Sequence, residues 1–177
     1  MLSKILIGIA IVVVILVVVV AMQPAAFRVS RTAVLRAPAA AVFAQVNDFH
    51  KWEAWSPWAK IDPAMKETFE GAPAGVGAVY FWAGNSKVGA GRMEILESRP
   101  NELIRIRLDF IKPFKSTNTA EFTFVPEDDA TRVTWTMEGK NNFVAKAMGL
   151  FMSMDTMIGG QFEQGLAQLG TAAVATQ

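Results

Sequence analysis

Hydrophobic positions follow different rules in different parts of this chain. Ile5 to Met22 is an uncharged, almost wholly apolar run of 18 residues, preceded by Lys4 and closed by Gln23-Pro24. At the helical rise of about 1.5 Å per residue it covers roughly 27 Å, near the thickness of a bilayer's hydrocarbon core. Pro24 stops the helix, because it lacks an N–H and disfavours helical geometry in the residue before it. The run is longer than a secretory signal's apolar region, and Ala21-Met22-Gln23 makes a poor cleavage site. We therefore expect a retained anchor over residues 1–24, with a cleaved signal as the alternative. Lys4 and the amino terminus stand on one side and Arg28, Arg31 and Arg36 on the other, so the positive-inside count does not decide the orientation. A short tail before one apolar segment and a long domain suits a single-pass signal anchor with the domain on the extracytoplasmic side.

From Phe27 to Arg36 the period becomes two, with Val29, Ala33 and Leu35 alternating with Arg28, Ser30 and Thr32. This predicts a half-buried strand. Pro38 then suits the first turn of a helix to about Asn47, with Val42, Phe43 and Val46 on one face. Phe49 to Trp58 is aromatic-rich, and Pro57 keeps it short.

Six further strands are expected at about Lys66–Glu70, Ala78–Gly84, Gly89–Arg99, Glu102–Lys112, Thr117–Pro126 and Ala130–Gly139. Turn-forming groups such as Gly71-Ala-Pro-Ala-Gly75, Pro100-Asn101 and Glu127-Asp128-Asp129 separate them. Ile104, Ile106, Leu108 and Phe110 oppose Arg105, Arg107 and Asp109. Ala120, Phe122 and Phe124 oppose Glu121 and Thr123, and Val133, Trp135 and Met137 oppose Thr134, Thr136 and Glu138. One apolar and one polar face per strand predicts an antiparallel sheet covered on one side. The cover is an amphipathic helix from Asn142 to about Leu169, where Phe143, Ala147, Leu150, Phe151, Met154, Ile158, Phe162, Leu166 and Leu169 step by three and four. The fold class is α+β: a curved antiparallel sheet of about seven strands around a long C-terminal helix, preceded by one transmembrane helix.

Charge and composition remove several function classes. Of 17 basic residues Lys4 precedes the apolar run, leaving 16 against 16 acidic ones, so residues 25–177 form a nearly neutral domain without the basic excess of a nucleic-acid binder. The absence of cysteine excludes a disulfide framework, a thiol nucleophile and a zinc–thiolate site. With one histidine there is no His-based metal triad, and no metal or cofactor is expected. His50 reads as a surface histidine, since neither Asp48 nor Glu53 is shown to orient it. Asp128-Asp129 reads as a turn, Arg92 and Glu94 as solvated cross-strand charges, and Tyr80 has no assigned acid role.

The order of elements is carried by Val29-x-Arg31-x-Ala33-x-Leu35-x-Ala37-Pro38, Val46-Asn47-Asp48-Phe49 and Trp52-x-x-Trp55-Ser56-Pro57-Trp58. Further along come Trp82-x-Gly84-Asn85, Gly89-x-Gly91-x-Met93-x-Ile95, and Met154-Asp155-x-Met157-Ile158-Gly159-Gly160-x-Phe162-Glu163-x-Gly165-Leu166. Over Phe27 to Leu169 this resembles the SRPBCC superfamily, the START/Bet v 1-like helix-grip fold, in its polyketide cyclase/dehydrase-like branch. The resemblance implies an apolar cavity between sheet and helix that binds a hydrophobic small molecule or lipid. On that basis the candidate lining is Trp55, Trp82, Ile106, Leu108, Phe110, Phe122, Phe124, Trp135, Met137, Leu150, Met154 and Ile158. Met148 and Met152 flank the helix stripe and are the candidate entrance, methionine being adaptable at apolar surfaces. The function expected is a membrane-anchored carrier or sensor, with no nucleic-acid partner. A cyclase- or aromatase-like enzyme and a protein-interaction module with a filled pocket are the alternatives.

Overall fold

Leu2–Ala21 forms one helix of 20 residues, α1, which is long and apolar enough to cross a membrane. A signal sequence shares that property. The computed structural model describes residues 2–175, and within it α1 leaves nearly all its side chains uncovered, Val20 of the last turn being buried.

Seven strands follow: β1 (Ala26–Leu35), β2 (Lys66–Gly71), β3 (Ala78–Ala83), β4 (Ala90–Arg99), β5 (Leu103–Lys112), β6 (Ser116–Glu127) and β7 (Ala130–Lys140). They make one antiparallel sheet in the order β1-β7-β6-β5-β4-β3-β2. Alternation fixes its register, because a one-residue slip would turn every apolar side chain to water. Ile104 pairs with Phe122 and Phe122 with Trp135; one step along, Ile106 pairs with Ala120 and Ala120 with Met137. These side chains are buried on the covered face. The opposite face is polar: Arg105 bonds Glu97 and, at 2.9 Å, Glu121, and Ser30 meets Thr136 at 2.9 Å. Asn101 (φ 61°) and Asp128 (φ 47°) turn two of the hairpins in the left-handed region that Asn and Asp tolerate.

Four further elements complete the domain. α2 (Ala39–Val46) and a 3₁₀ segment (Phe49–Ala54) come from the β1–β2 connection, and the chain ends in α3 (Phe143–Met148) and α4 (Met154–Ala175). The single helix expected over Asn142–Leu169 is therefore two. Asn142 caps α3 by accepting from the Ala145 N–H at 2.8 Å, Gly149 ends it, and Ser153 Oγ starts α4 by accepting from the Thr156 N–H at 3.1 Å. Phe143 and Phe151 do not join the core stripe; both are exposed. The stripe that grips the sheet begins later and runs through Phe162, Leu166, Leu169 and Ala173, with α4 lying chiefly over β1. The helix breaks at Gly149–Ser153, ahead of the Gly159-Gly160 pair.

Candidate ligand-binding groove

Aromatic packing divides the covered face of the sheet into a filled half and a more open half. In the filled half Phe122 stacks on Trp135 with centroids 4.8 Å apart, and Trp135 stacks on Phe162 of α4 at 4.1 Å with rings 5° from parallel. Trp52 and Trp55 are held above them by their indole N–H groups. These donate to the Val46 and Gln45 carbonyls at 3.0 and 3.2 Å, satisfying acceptors that the last turn of α2 leaves free. Gly165 is required here: a Cβ would stand 2.8 Å from Trp135 Cζ3 and 3.2 Å from Pro57 Cδ.

On β3, β4 and β5 Tyr80, Met93, Ile95, Ile106 and Leu108 are buried, and the more open part is the end that carries Trp82 and Phe110. Trp82 and Phe110 are partly buried and meet edge to face at 5.8 Å. The Trp82 ring fills the space over Gly91, where a Cβ would come within 2.3 Å of it. Tyr80 stacks on Trp82 at 6.0 Å and donates its hydroxyl to Glu67 Oε1 at 2.6 Å. Burial first, then the Glu67 hydrogen bond and charge, push the Tyr80 phenol well above its ordinary range. At neutral pH it is a hydrogen-bond donor and not a base. Asn118, also on this face, is buried with its Oδ1 unpartnered, as is the Nε1 of Trp135.

Of the twelve candidate lining residues, Trp55, Ile106, Leu108, Phe122, Phe124, Trp135 and Met137 are buried in the core. Trp82, Phe110, Met154 and Ile158 are partly buried against it. Leu150 is partly buried in the α3–α4 break, and the entrance candidates Met148 and Met152 are 45% and 50% exposed beside it. Two surface clefts lie outside this set. One, of about 340 Å³, is bordered by Glu53, Lys60, Asp62, Met65 and Glu67, so Glu67 links it to Tyr80. The other, of about 640 Å³, is a shallow surface furrow between the end of β1 and the end of α4.

Sequence reasoning passed over three polar residues on the covered face: Arg31, Glu67 and Asn118. Register places Arg31 beside Trp135, Glu67 beside Trp82, and Asn118 beside Leu108. Each is a polar residue at an apolar parity, a signal readable in the sequence. Arg31 binds Asp155 and Glu163 of α4, both at 2.7 Å. His50 is exposed, bonded to Asp48 at 2.9 Å and stacked on Phe69 at 4.1 Å, on the outer side of the same aromatic row. No group of three or more His, Cys, Asp or Glu among the described residues could hold a metal ion.

Residues 26–174 match the family described as polyketide cyclase/dehydrase and lipid transport. Among solved structures, a Helicobacter pylori protein aligns with a TM-score of 0.63 at 14% identity, covering 83% of this chain and 88% of that one. A Mycobacterium smegmatis protein aligns at 0.59 and 21% identity, covering 85% and 92%. The Aha1 dimer from Colwellia psychrerythraea aligns at 0.59 and 11% identity, covering 83% and 96%. At these identities the likeness is one of fold. No curated protein matches.

Proposed function

The chain belongs to the polyketide cyclase/dehydrase and lipid transport family, and on that premise we propose that it is a membrane-anchored binding domain for a hydrophobic small molecule or lipid, acting as carrier or sensor. The observation that supports this reading is apolar surface left only partly withdrawn from water, at Trp82 and Phe110 on the sheet and at Met154 and Ile158 on α4. Such a surface is the kind a hydrophobic ligand covers. In this reading Leu108 and Met93, paired across β4 and β5, are the floor of the site, and the exposed Met148 and Met152 border the way in. Asn118 Oδ1 and the Tyr80–Glu67 pair are the polar groups that would orient a ligand hydroxyl or amide. In this reading α1 is retained as a single span and the domain stands on the extracytoplasmic side, close to a source of apolar ligands.

The experiment is native mass spectrometry of the full-length protein released from lipid nanodiscs, paired with titration by a fluorescent fatty-acyl analogue. The reading expects a co-purifying molecule that the analogue displaces. An unloaded protein that also fails to bind the analogue overturns it. The closely stacked Trp135–Phe162 pair favours a second reading, a protein-interaction module whose interior is filled by its own side chains. That reading expects the unloaded, non-binding result.

A further inference from the structure

Exposed apolar side chains gather at one end of this molecule, the end where α1 joins the sheet. β1 starts there at Ala26, opposite Lys140 at the finish of β7, and the next rung places Gly139 opposite Asn118 near the start of β6. The β5–β6 hairpin therefore turns at that same end, and its tip carries Ile111 and Phe114, 47% and 53% exposed. α3 and the loop after it also lie there. Lys146 donates to the Ala21 carbonyl at the end of α1 at 3.1 Å, and Asn141 Nδ2 donates to the Pro24 carbonyl at 3.1 Å. This segment presents Phe143 at 54%, Met152 at 50% and Phe151 at 90% exposure.

Around the hairpin tip and α3 the charge left over is basic, while Asp62 stands at the β3–β4 turn of the same end, bonded to the Asn85 N–H at 2.7 Å. The acidic side chains Asp109 and Glu138 are each paired with arginine, to Arg107 at 2.9 Å and Arg28 at 3.0 Å. Lys112, Lys115, Lys140 and Lys146 make no ion pair among the described residues. They are scattered in sequence, and the sheet topology brings them to one end. Exposed aromatic and aliphatic side chains interspersed with lysine suit a bilayer surface, where rings enter the acyl boundary and ammonium groups stay at the head groups.

From this placement we infer that the β5–β6 hairpin tip and the α3 segment are docked on the lipid bilayer that α1 enters, so that the domain lies on the membrane surface and is not merely tethered above it. The inference rests on the reading of α1 as a retained span. Continuity supports a lipid occupant: the patch meets the last turn of the one helix in the described chain that is suited to lipid.

The chain has no cysteine, so single labelling sites can be introduced cleanly. Full-length protein carrying Phe151→Cys, Phe114→Cys or, as control, Val125→Cys is labelled with the polarity-sensitive fluorophore NBD. Each is reconstituted in phosphatidylcholine vesicles containing anionic phosphatidylglycerol. Val125 is exposed and lies nine residues along β6 from Ser116, about 30 Å away at the rise of an extended strand. NBD at positions 151 and 114 is expected to emit blue-shifted and several-fold brighter, and to be quenched by doxyl-labelled lipid, while the probe at 125 stays wet and unquenched. Wet probes at 151 and 114 in protein that resists carbonate extraction overturn the docking alone. Dry probes that doxyl lipid does not quench mean that protein covers the patch, and they overturn it too. Protein that carbonate removes from the vesicles overturns the anchor and the docking with it. Phe143→Cys replaces Phe151→Cys if thermal unfolding shows that variant misfolded.

Discussion

Arg31 lies directly against the backbone of Gly159: a Cβ on that glycine would stand 2.0 Å from the Arg31 Nη2. The missing side chain lets the guanidinium reach across α4 to Asp155 on one side and Glu163 on the other. Asp155, Gly159 and Glu163 are spaced by four, one above another on a helix face. An inward arginine on β1 thus clasps the helix that covers it.

Removing that clasp should loosen the start of α4. Arg31→Ala is expected to lower the unfolding temperature more than Arg28→Ala, because the Arg28 side chain is far more exposed and has one acidic partner where Arg31 has two. The Arg31 guanidinium, first by hydrogen bonding, holds the Asp155 carboxyl below its ordinary value of 3.8. A lowered folded-state value stabilises the fold above the ordinary value, and that contribution disappears as pH falls through the lowered one. The difference between wild type and Asp155→Asn should accordingly be full near neutrality and vanish in strong acid, as read by thermal unfolding across a pH series.

Neighbouring glycines of α4 should respond with opposite signs. A methyl added at Gly160 would meet nothing within 4 Å, so Gly160→Ala should stabilise by up to about 1 kcal/mol through helix propensity. Gly165→Ala drives a methyl into the Trp135 ring and should cost about 1–3 kcal/mol. Urea denaturation of both variants checks the pair; a stabilised Gly165→Ala would mean the aromatic stack is loosely held.

The two faces of β6 should differ as sharply. Phe122 is fully buried between Ile104 and Trp135, and Phe122→Ala is expected to cost about 3–5 kcal/mol. Glu121, partly exposed beside Arg105, should cost below about 1 kcal/mol on mutation to Ala. Equal losses in denaturant unfolding would contradict the assignment of faces.

Tyr80 is the single tyrosine, so its ionisation is visible without interference. Because its folded-state value is raised, its contribution is full below the ordinary value of 10.0 and is lost as pH rises above it. Native protein should show no tyrosinate absorbance just above that value, and Glu67→Ala should bring the signal to lower pH. Both are read by ultraviolet titration with unfolding followed in parallel.

Replacing Met148 and Met152 together with Gln should shift stability by no more than about 0.5 kcal/mol, since both are largely exposed. Affinity for an acyl probe should fall about five- to thirtyfold for each contact worth about 1–2 kcal/mol to a bound ligand. Unchanged affinity in fluorescence titration would remove them from the entrance.

The sheet was legible because strict alternation has one physical meaning. Ile104 to Phe110 and Ala120 to Phe124 could turn only one way, and Pro100-Asn101 and Glu127-Asp128-Asp129 marked where the chain reversed. The C-terminal helix was less so. Its spacing of three and four continues through Phe143 and Phe151, and periodicity does not register that Asn142, Gly149 and Ser153 end one helix and begin another. For the groove, alternation told inside from outside, yet not filled from open. That depends on how Trp135, Phe162 and the bare Cα of Gly165 meet across the sheet and α4. The inward polar residues Arg31, Glu67 and Asn118 were visible as breaks in parity, but their partners are set only by the folded arrangement.

β1 is an edge strand whose one sheet neighbour is β7. Ser30 and Thr136, hydrogen-bonded across that seam, are 106 positions apart in the chain. The first strand to leave the ribosome therefore waits, unpaired, until the last strand exists, and α4 has no full surface to lie on before the two have joined. Closure over so long a separation makes this seam the slow step expected of folding, a stage at which the open edge of β1 can pair wrongly with another chain.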